Sequence, residues 1–176
     1  MIREEVIKNY ARDKDILEVG AVGQTQEYSL WENLRYVAKS LTGIDTTPSG
    51  EESIVEGNME TYSFSRKFDV IILGDVIEHV DNQGLLLDNV RSHLKEDGVL
   101  IITTPNAKWP TVFKPANPTH TLWHDKSTLE EILRRHGMEL SEFLYYCGNK
   151  KRYNFLLKAF VWRQQMLAVC RIKKDE

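Results

Sequence analysis

The chain alternates short apolar runs with longer segments in which apolar residues recur at helical spacing. The short runs predict seven strands, which are Asp15–Val19, Ser40–Ile44, Ser53–Glu56, Phe68–Leu73, Val99–Thr103, Leu140–Tyr146 and Met166–Ile172. The central runs, such as FDVIIL and VLIIT, are continuously apolar, as is typical of parallel strands that are covered on both faces.

Three segments between these strands have the spacing and the end signals of helices. They are Gln26–Lys39, Gln83–Leu94 and Ser127–Gly137. The second runs into KEDG, which indicates a glycine C-cap, and the third has Ser127 and Glu130 at capping-box spacing and a terminating Gly137. Only a short helix fits before the first strand. Strands that alternate with helices predict an α/β domain around a mostly parallel sheet, with right-handed crossovers.

Length and charge narrow the class of protein. A chain of 176 residues is expected to form one domain, over residues 1–176. Lys and Arg total 23 against 26 Asp and Glu, a net charge of −3, so no basic excess indicates a nucleic-acid partner. The N-terminus has no signal-peptide pattern, and no apolar stretch is long enough to span a membrane, so we expect a soluble cytoplasmic protein.

The two cysteines and the prolines each support one expectation. Cys147 and Cys170 lie far apart and have no metal-binding spacing, so we expect two small buried side chains. Four of the five prolines lie in Pro105–Pro118, after a strong parallel strand. A long loop at that position is a candidate substrate lid, and a merely decorative loop is the alternative.

The stretch ILEVGAVGQ runs from a strand into a turn with two glycines, Gly20 and Gly23. A dinucleotide site requires three glycines, because the pyrophosphate sits against the backbone and the helix N-terminus. The bulky Val22 and Gln24 therefore disfavour a pyrophosphate. Glu18 repels phosphate but accepts a hydrogen bond from an ammonium group. An ordinary turn remains the alternative interpretation.

Polar residues follow three further strands. Asp45 is placed to accept the two hydroxyls of a ribose, Asn58 to bond an adenine edge, and Met59 to pack on its face, although each also fits a turn or the core. Asp75, Glu78 and His79 are spaced i, i+3 and i+4, which gathers them on one face if that element is helical. A solvated face with a satisfied histidine is the alternative.

Together these segments resemble a class I S-adenosylmethionine-dependent methyltransferase. The resemblance covers Ile16 to Tyr146 and rests on the order of ILEVGAVG, GID, GNME, FDVIILGDVIEHV, LKEDGVLIITTPN and HTLWHDKSTLEEILRRHGM. The small-molecule type, which includes ubiquinone O-methyltransferases, is the most similar. The resemblance implies an α/β fold with a Rossmann-like, doubly wound, mostly parallel seven-stranded sheet and an antiparallel last strand.

The resemblance also implies roles for individual residues. Its cofactor, S-adenosylmethionine, would contact Glu18, Gly20, Ala21, Gly23, Asp45, Asn58, Met59, Gly74 and Asp75. The first motif departs from the usual GxGxG, which a cofactor without phosphate tolerates. His79 and His120 are candidate bases, with His124 in reserve, for methyl transfer to an oxygen or nitrogen of a small-molecule acceptor.

Several alternatives stay open at this point. Small-RNA 3′-end methyltransferases have a similar ExxEH motif with a later histidine that holds a metal, so Asp75, Glu78, His79 and His120 form a candidate divalent-metal site. The basic and aromatic stretch from Asn149 to Lys174 predicts a last helix and a closing strand, or a surface that touches a membrane. With little chain before the first strand, the site is expected to be open or to borrow a wall from another subunit. A non-catalytic cofactor-binding module and, less favoured, a nicotinamide-dependent oxidoreductase are the competing classes.

Overall fold

Seven strands form one sheet in the computed structural model, which describes residues 2–24, 29–109, 118–147 and 164–174. The strands are β1 (Asp15–Val19), β2 (Ser40–Asp45), β3 (Ile54–Glu56), β4 (Phe68–Gly74), β5 (Leu94–Pro105), β6 (Met138–Tyr146) and β7 (Gln165–Ile172). Their order across the sheet is β3-β2-β1-β4-β5-β7-β6. Six strands run in the same direction, and β7 is antiparallel to both of its neighbours, β5 and β6. This confirms the predicted sheet.

The strand order reverses between β1 and β4. From β1 the chain moves outward through β2 to β3 and then returns to pair β4 with the other side of β1. The carboxyl ends of these parallel strands lie at one edge of the sheet, and loops from adjacent strands leave in opposite directions at the reversal. In open α/β sheets the resulting crevice is where ligands bind.

The two faces of the sheet are covered by four helices in the described part of the chain, α1 (Ile2–Ala11), α2 (Leu30–Arg35), α3 (Gln83–His93) and α4 (Lys126–Arg135). Alternate residues of β4 point to opposite faces, as the pleat requires. Val70 and Ile72 belong to one buried cluster with residues of α1 and α2. Ile71 and Leu73 belong to the other, with residues of α3 and α4. This layering explains why the central strands are apolar throughout.

The helix ends differ from the predicted ones because side chains cap the helices at other residues. The helix α2 begins after Ser29, whose hydroxyl accepts the Glu32 N–H, and ends at Arg35, within the predicted Gln26–Lys39. The helix α3 ends at His93, and β5 follows at once, so Gly98 of KEDG lies inside β5 and caps nothing. The N-cap of α4 is Asp125 and not Ser127, and its capping-box partner is Thr128 and not Glu130.

The predictions for the cysteines, the proline-rich loop and the C-terminal region concern residues of which the structure describes only a part. Cys147 and Cys170 are free and buried, as expected. Among the described helices, none is long and apolar enough to cross a membrane. Pro105 is the last residue of β5, but most of the predicted lid, residues 110–117, lies outside the described residues. So does the predicted last helix, in residues 148–163, whereas the closing strand is present as β7.

Candidate active site

A cavity of about 370 Å³ lies at the carboxyl edge of the sheet, at the reversal of strand order. Residues that follow β1, β2, β3 and β4 all contribute to its walls. Six of the predicted cofactor residues line it, namely Gly20, Asp45, Asn58, Met59, Gly74 and Asp75, and so does the predicted base His79. Its volume falls within the usual range for small-molecule sites.

The turn after β1 forms one wall of the cavity, and Gly20 is required there. Its φ is +76°, and a Cβ at this position would lie 2.8 Å from Cγ2 of Val76, so a larger residue would strain the backbone and clash. Ala21 and Gly23 are not among the lining residues in the described part of the chain. Ala21 is buried beneath the turn, and Gly23 is exposed at its tip.

Glu18 also lies behind the cavity wall instead of lining it. It is 1% exposed, and one carboxylate oxygen accepts a hydrogen bond from the side-chain amide of Gln24, which covers it. The other oxygen, Oε2, is buried with no hydrogen-bond partner among the described residues. Burial raises the pKa of Glu18 to about 7, against the opposing effects of the Gln24 hydrogen bond and the nearby charge of Arg3.

Asp45, at the end of β2, joins the two loops beside the cavity. Its Oδ2 accepts the N–H of Val22 at 2.9 Å, and its Oδ1 accepts the N–H of Thr47 at 2.8 Å. A carboxylate has about four acceptor positions, so both oxygens retain capacity for the hydroxyls of a ribose. The position thus has the turn role that the sequence left open and retains capacity for the predicted ligand role.

The segment after β3 supplies the opposite end of the cavity. Met59 is 3% exposed and belongs to the core, whereas the side-chain oxygen of Asn58 accepts the N–H of Glu60 in a local turn. Asn89 of α3 fixes this segment, because its amide donates to the carbonyls of Met59 and Tyr62 at 2.8 and 2.7 Å. Nothing in the sequence singles out Asn89, which looks like an ordinary helix-surface residue.

Asp75 follows β4 with a φ of +57°, a conformation that non-glycine residues seldom adopt and that tends to occur at functional sites. Thr103 of β5 fixes it: the backbone carbonyl of Thr103 accepts the Asp75 N–H at 2.9 Å, and the Thr103 hydroxyl donates to Asp75 Oδ1 at 3.3 Å. On the other side, Nη2 of Arg3 lies 3.5 Å from Asp75 Oδ2.

The segment from Ile77 to His79 is a turn and not a helix. Asp75, Glu78 and His79 therefore do not share one helical face. The N–H of His79 bonds the carbonyl of Val76, three residues earlier, and α3 begins only at Gln83. Glu78 therefore points inward at 2% exposure, and His79 is exposed at the cavity rim. The left-handed conformation of Asp75 bends the chain away from helical geometry here.

His120 reaches this rim from a distant part of the sequence. The carbonyl of Glu78 accepts the N–H groups of Thr121 and Leu122, and Nδ1 of His79 donates to the carbonyl of Thr119 at 3.1 Å. As a result the rings of His79 and His120 meet edge to face, with centroids 4.6 Å apart. Burial, and then the neighbouring His79, lower the pKa of His120. The reserve candidate His124 is 5% exposed and lies outside this pair.

Glu78, His79 and His120 present ligand atoms that lie within 4.8 Å of one another, a group that does not include Asp75. Glu78 Oε2 accepts a hydrogen bond from Thr104, whereas Oε1 is buried with no partner among the described residues. Burial, and then the charge of Asp75, raise the pKa of Glu78 to about 8. The candidate metal ligands thus reduce from four to three.

Two further residues near this edge, Arg3 and Tyr146, are not indicated by the sequence. Arg3 of α1 is 4% exposed beside Asp75, although its surroundings in the sequence, IREEV, are typical of a solvated helix. Tyr146 ends β6 and shares a hydrogen bond with Thr103, and burial raises the pKa of its hydroxyl well above the usual range. Only the tertiary fold places either side chain at the site.

Comparison with known proteins agrees with this geometry. A sequence model of the family described as "Methyltransferase domain" matches residues 3–142. A search of curated protein sequences finds no match.

Solved structures share the fold at low sequence identity. A putative methyltransferase from Bacillus halodurans has a TM-score of 0.73 at 14% identity, over 99% of this chain and 98% of its own. The 1,6-didemethyltoxoflavin-N1-methyltransferase of Burkholderia thailandensis has a TM-score of 0.72 at 14% identity, over 98% and 77%. The N-methyltransferase NodS of Bradyrhizobium japonicum, in complex with S-adenosylhomocysteine, has 0.70 at 17%, over 98% and 87%.

Proposed function

This chain belongs to the methyltransferase domain family, and from that premise we propose that it methylates an oxygen or nitrogen atom of a small-molecule acceptor. S-adenosylmethionine is the cofactor. The observation that carries the proposal is the cavity at the strand-order reversal, which is lined by the carboxylates of Asp45 and Asp75 and has His79 at its rim. Two structural neighbours, from Burkholderia and Bradyrhizobium, are by name N-methyltransferases.

The residues of the cavity fit such a cofactor. Gly20 allows the tight turn that packs against Val76 and forms one wall, and the Asp45 carboxylate keeps acceptor capacity for ribose hydroxyls. Asp75 supplies negative charge near the β1–β4 reversal, and Met59 provides an apolar surface for the adenine base. When bound, the cofactor supplies an electrophilic methyl group on a sulfonium.

The histidine pair supplies the proton acceptor that a hydroxyl or ammonium acceptor needs. Burial lowers the pKa of His120, so its ring is neutral and able to accept a proton at pH 7. His79 donates from Nδ1 to the carbonyl of Thr119, which leaves its Nε2 as the accepting nitrogen. Trp123, 41% exposed, lies with its ring centroid 5.2 Å from that of His120 and offers a flat wall for the acceptor.

Methyl transfer is tested with methyl-labelled S-adenosylmethionine and a panel of hydroxy and amino compounds. We expect S-adenosylhomocysteine to form with one class of acceptor. We expect His120→Ala to lower kcat by about 10²- to 10⁴-fold without changing cofactor affinity. His136→Ala, which removes the C-cap histidine of α4 that pairs with Asp88 of α3, is the matched control. Tight cofactor binding without turnover on any acceptor would instead favour a non-catalytic module.

The group of Glu78, His79 and His120 favours a variant of the same function in which a divalent cation orients the acceptor. Two imidazoles and one carboxylate leave coordination positions open for acceptor oxygens. The bond from His79 Nδ1 to a backbone carbonyl is the kind of contact that orients a metal-binding imidazole.

Titration of EDTA-treated protein with Mn²⁺ tests this variant. The expected result is one bound ion per chain, which is lost in Glu78→Gln and kept in Glu130→Gln, a change at an exposed residue of α4. Equal Mn²⁺ binding by the wild type and Glu78→Gln would exclude the three-residue site.

A further inference from the structure

The turn after β3 is held from outside by a side chain of α3. Three residues of this turn, Asn58, Met59 and Glu60, line the cavity. The side-chain nitrogen of Asn89 donates to the carbonyl of Met59 at 2.8 Å and to the carbonyl of Tyr62 at 2.7 Å. An amide nitrogen carries two hydrogens, so Asn89 spends both of its donors on this turn. One side chain therefore fixes two carbonyls that lie three residues apart.

The bonds inside the turn fix its shape but not its place beside the cavity. The backbone carbonyl of Asn58 accepts the N–H groups of Thr61 and Tyr62, and its side-chain oxygen accepts the N–H of Glu60. All of these bonds join residues of the turn to one another. The position of the turn relative to the cavity must therefore come from contacts with other elements, and the two bonds from Asn89 are contacts of this kind.

A second side chain of α3 continues the attachment. His93, which lies one helical turn after Asn89, is 6% exposed, and its Nε2 accepts the N–H of Phe64 at 2.9 Å. Since Nε2 is the acceptor, Nδ1 carries the ring proton and donates to the backbone carbonyl of Asn89 at 2.8 Å. Leu86, one turn before Asn89, lines the cavity itself. One face of α3 thus holds residues 59–64 in place.

We propose that Asn89 is a positioning residue that determines the base specificity of the cofactor site. It does so by holding Asn58 at the edge and Met59 at the face of the adenine. The inference rests on the proposed function, because it takes the cavity to hold the cofactor. A site that hydrogen-bonds a ligand edge rejects an analogue with the wrong groups only if its own polar groups are held in place, since a pliable surface adapts to either ligand.

Titration calorimetry with two ligands tests this role. S-adenosylhomocysteine and S-inosylhomocysteine differ only at the hydrogen-bonding edge of the base, where an amino group is replaced by a carbonyl oxygen. We expect the wild type to prefer S-adenosylhomocysteine by about tenfold or more. Asn89→Leu should bind S-adenosylhomocysteine more weakly and reduce the preference to less than about threefold. Asn89→Gln keeps both N–H groups and should retain part of the preference.

Asn33→Leu is the matched control. The Asn33 side chain donates to the carbonyl of Ser29, the N-cap of its own helix α2, at 2.8 Å. This variant should keep the wild-type preference. Asn89→Ala removes the same two donors as Asn89→Leu without adding a branched side chain, so it replaces Asn89→Leu if that variant does not fold. The same loss of preference is expected.

Three results would overturn the inference. The first is a wild-type preference in Asn89→Leu or Asn89→Ala. The second is an equal loss of affinity for both ligands in these variants, because that pattern indicates a purely structural role. The third is equal binding of the two ligands by the wild type. Failure of the wild type to bind S-adenosylhomocysteine at all would instead overturn the proposed function itself.

Discussion

Glu18 is a glutamate buried at the end of β1, and burial raises its pKa to about 7. In the unfolded chain this carboxyl titrates near 4.5. The folded protein therefore binds the proton more tightly, and the contribution of Glu18 to stability is full below pH 4.5 and is lost as the pH rises to about 7. Linkage sets the steepest slope at about 1.4 kcal/mol per pH unit.

We expect Glu18→Gln to flatten this pH dependence, because the amide cannot ionise. Without ligand and with EDTA present, the variant should unfold at a higher denaturant concentration than the wild type at pH 8. The expected gain is on the order of 2 kcal/mol. Denaturant unfolding between pH 5 and 8 measures this, with Glu130→Gln, a change at an exposed residue of α4, as the control. If the free energy of unfolding changed with pH in the same way in the wild type and in Glu18→Gln, Glu18 would be ionised throughout this pH range.

Individual site residues could be predicted where a strand end brings them to the sheet edge. Asp45, Asn58, Gly74 and Asp75 follow strands directly, and all of them line the cavity. Arg3 and Asn89 could not be predicted, because helix packing alone brings them to the site. Glu18 was expected at the ligand but lies behind the wall, since Gln24 covers one of its oxygens.

At the scale of elements, Asp125 is the clearest departure from prediction. Its Oδ1 accepts the N–H of Thr128 at 2.9 Å, and Nζ of Lys108 lies 2.7 Å from its Oδ2. We expect Asp125→Ala to lower the free energy of unfolding by about 1 to 2 kcal/mol, because α4 loses its N-cap.

Ser127→Ala is the matched comparison. Ser127 only donates a hydrogen bond to Asp125. Its replacement should therefore lower the free energy of unfolding by no more than about 0.5 kcal/mol, as is usual for surface substitutions. Urea unfolding of both variants decides between the two caps. A larger loss for Ser127→Ala would restore the cap that local spacing predicted.

The ends of elements were harder to predict than their existence, for a physical reason. Ser29, Asp125 and Thr128 are all common capping residues, and neighbouring serines, threonines and aspartates compete for the same backbone N–H groups. Similarly, Gly98 matched a C-cap signal, but pairing of β5 with β4 starts at Leu94 and extends the strand backward across it.

At the scale of the whole molecule, the sheet could be predicted because its central strands are buried on both faces. Continuous apolar runs such as Val70–Leu73 leave parallel pairing with helices on either side as the favourable arrangement. The antiparallel β7 was expected from the family resemblance alone, since nothing in MLAVCRIKK sets its direction. Inserted between β5 and β6, β7 forms ladders with both of them.

The central claim, that the cavity at the strand reversal binds an adenosyl amino acid, is tested most directly by titration calorimetry of the wild type with S-adenosylhomocysteine and NAD⁺. We predict saturable one-to-one binding of S-adenosylhomocysteine, at least about tenfold weaker in Asp45→Ala than in Asp97→Ala, an exposed control. NAD⁺ should give no binding. Binding of NAD⁺ with the same or higher affinity, or no binding of S-adenosylhomocysteine, would contradict the account.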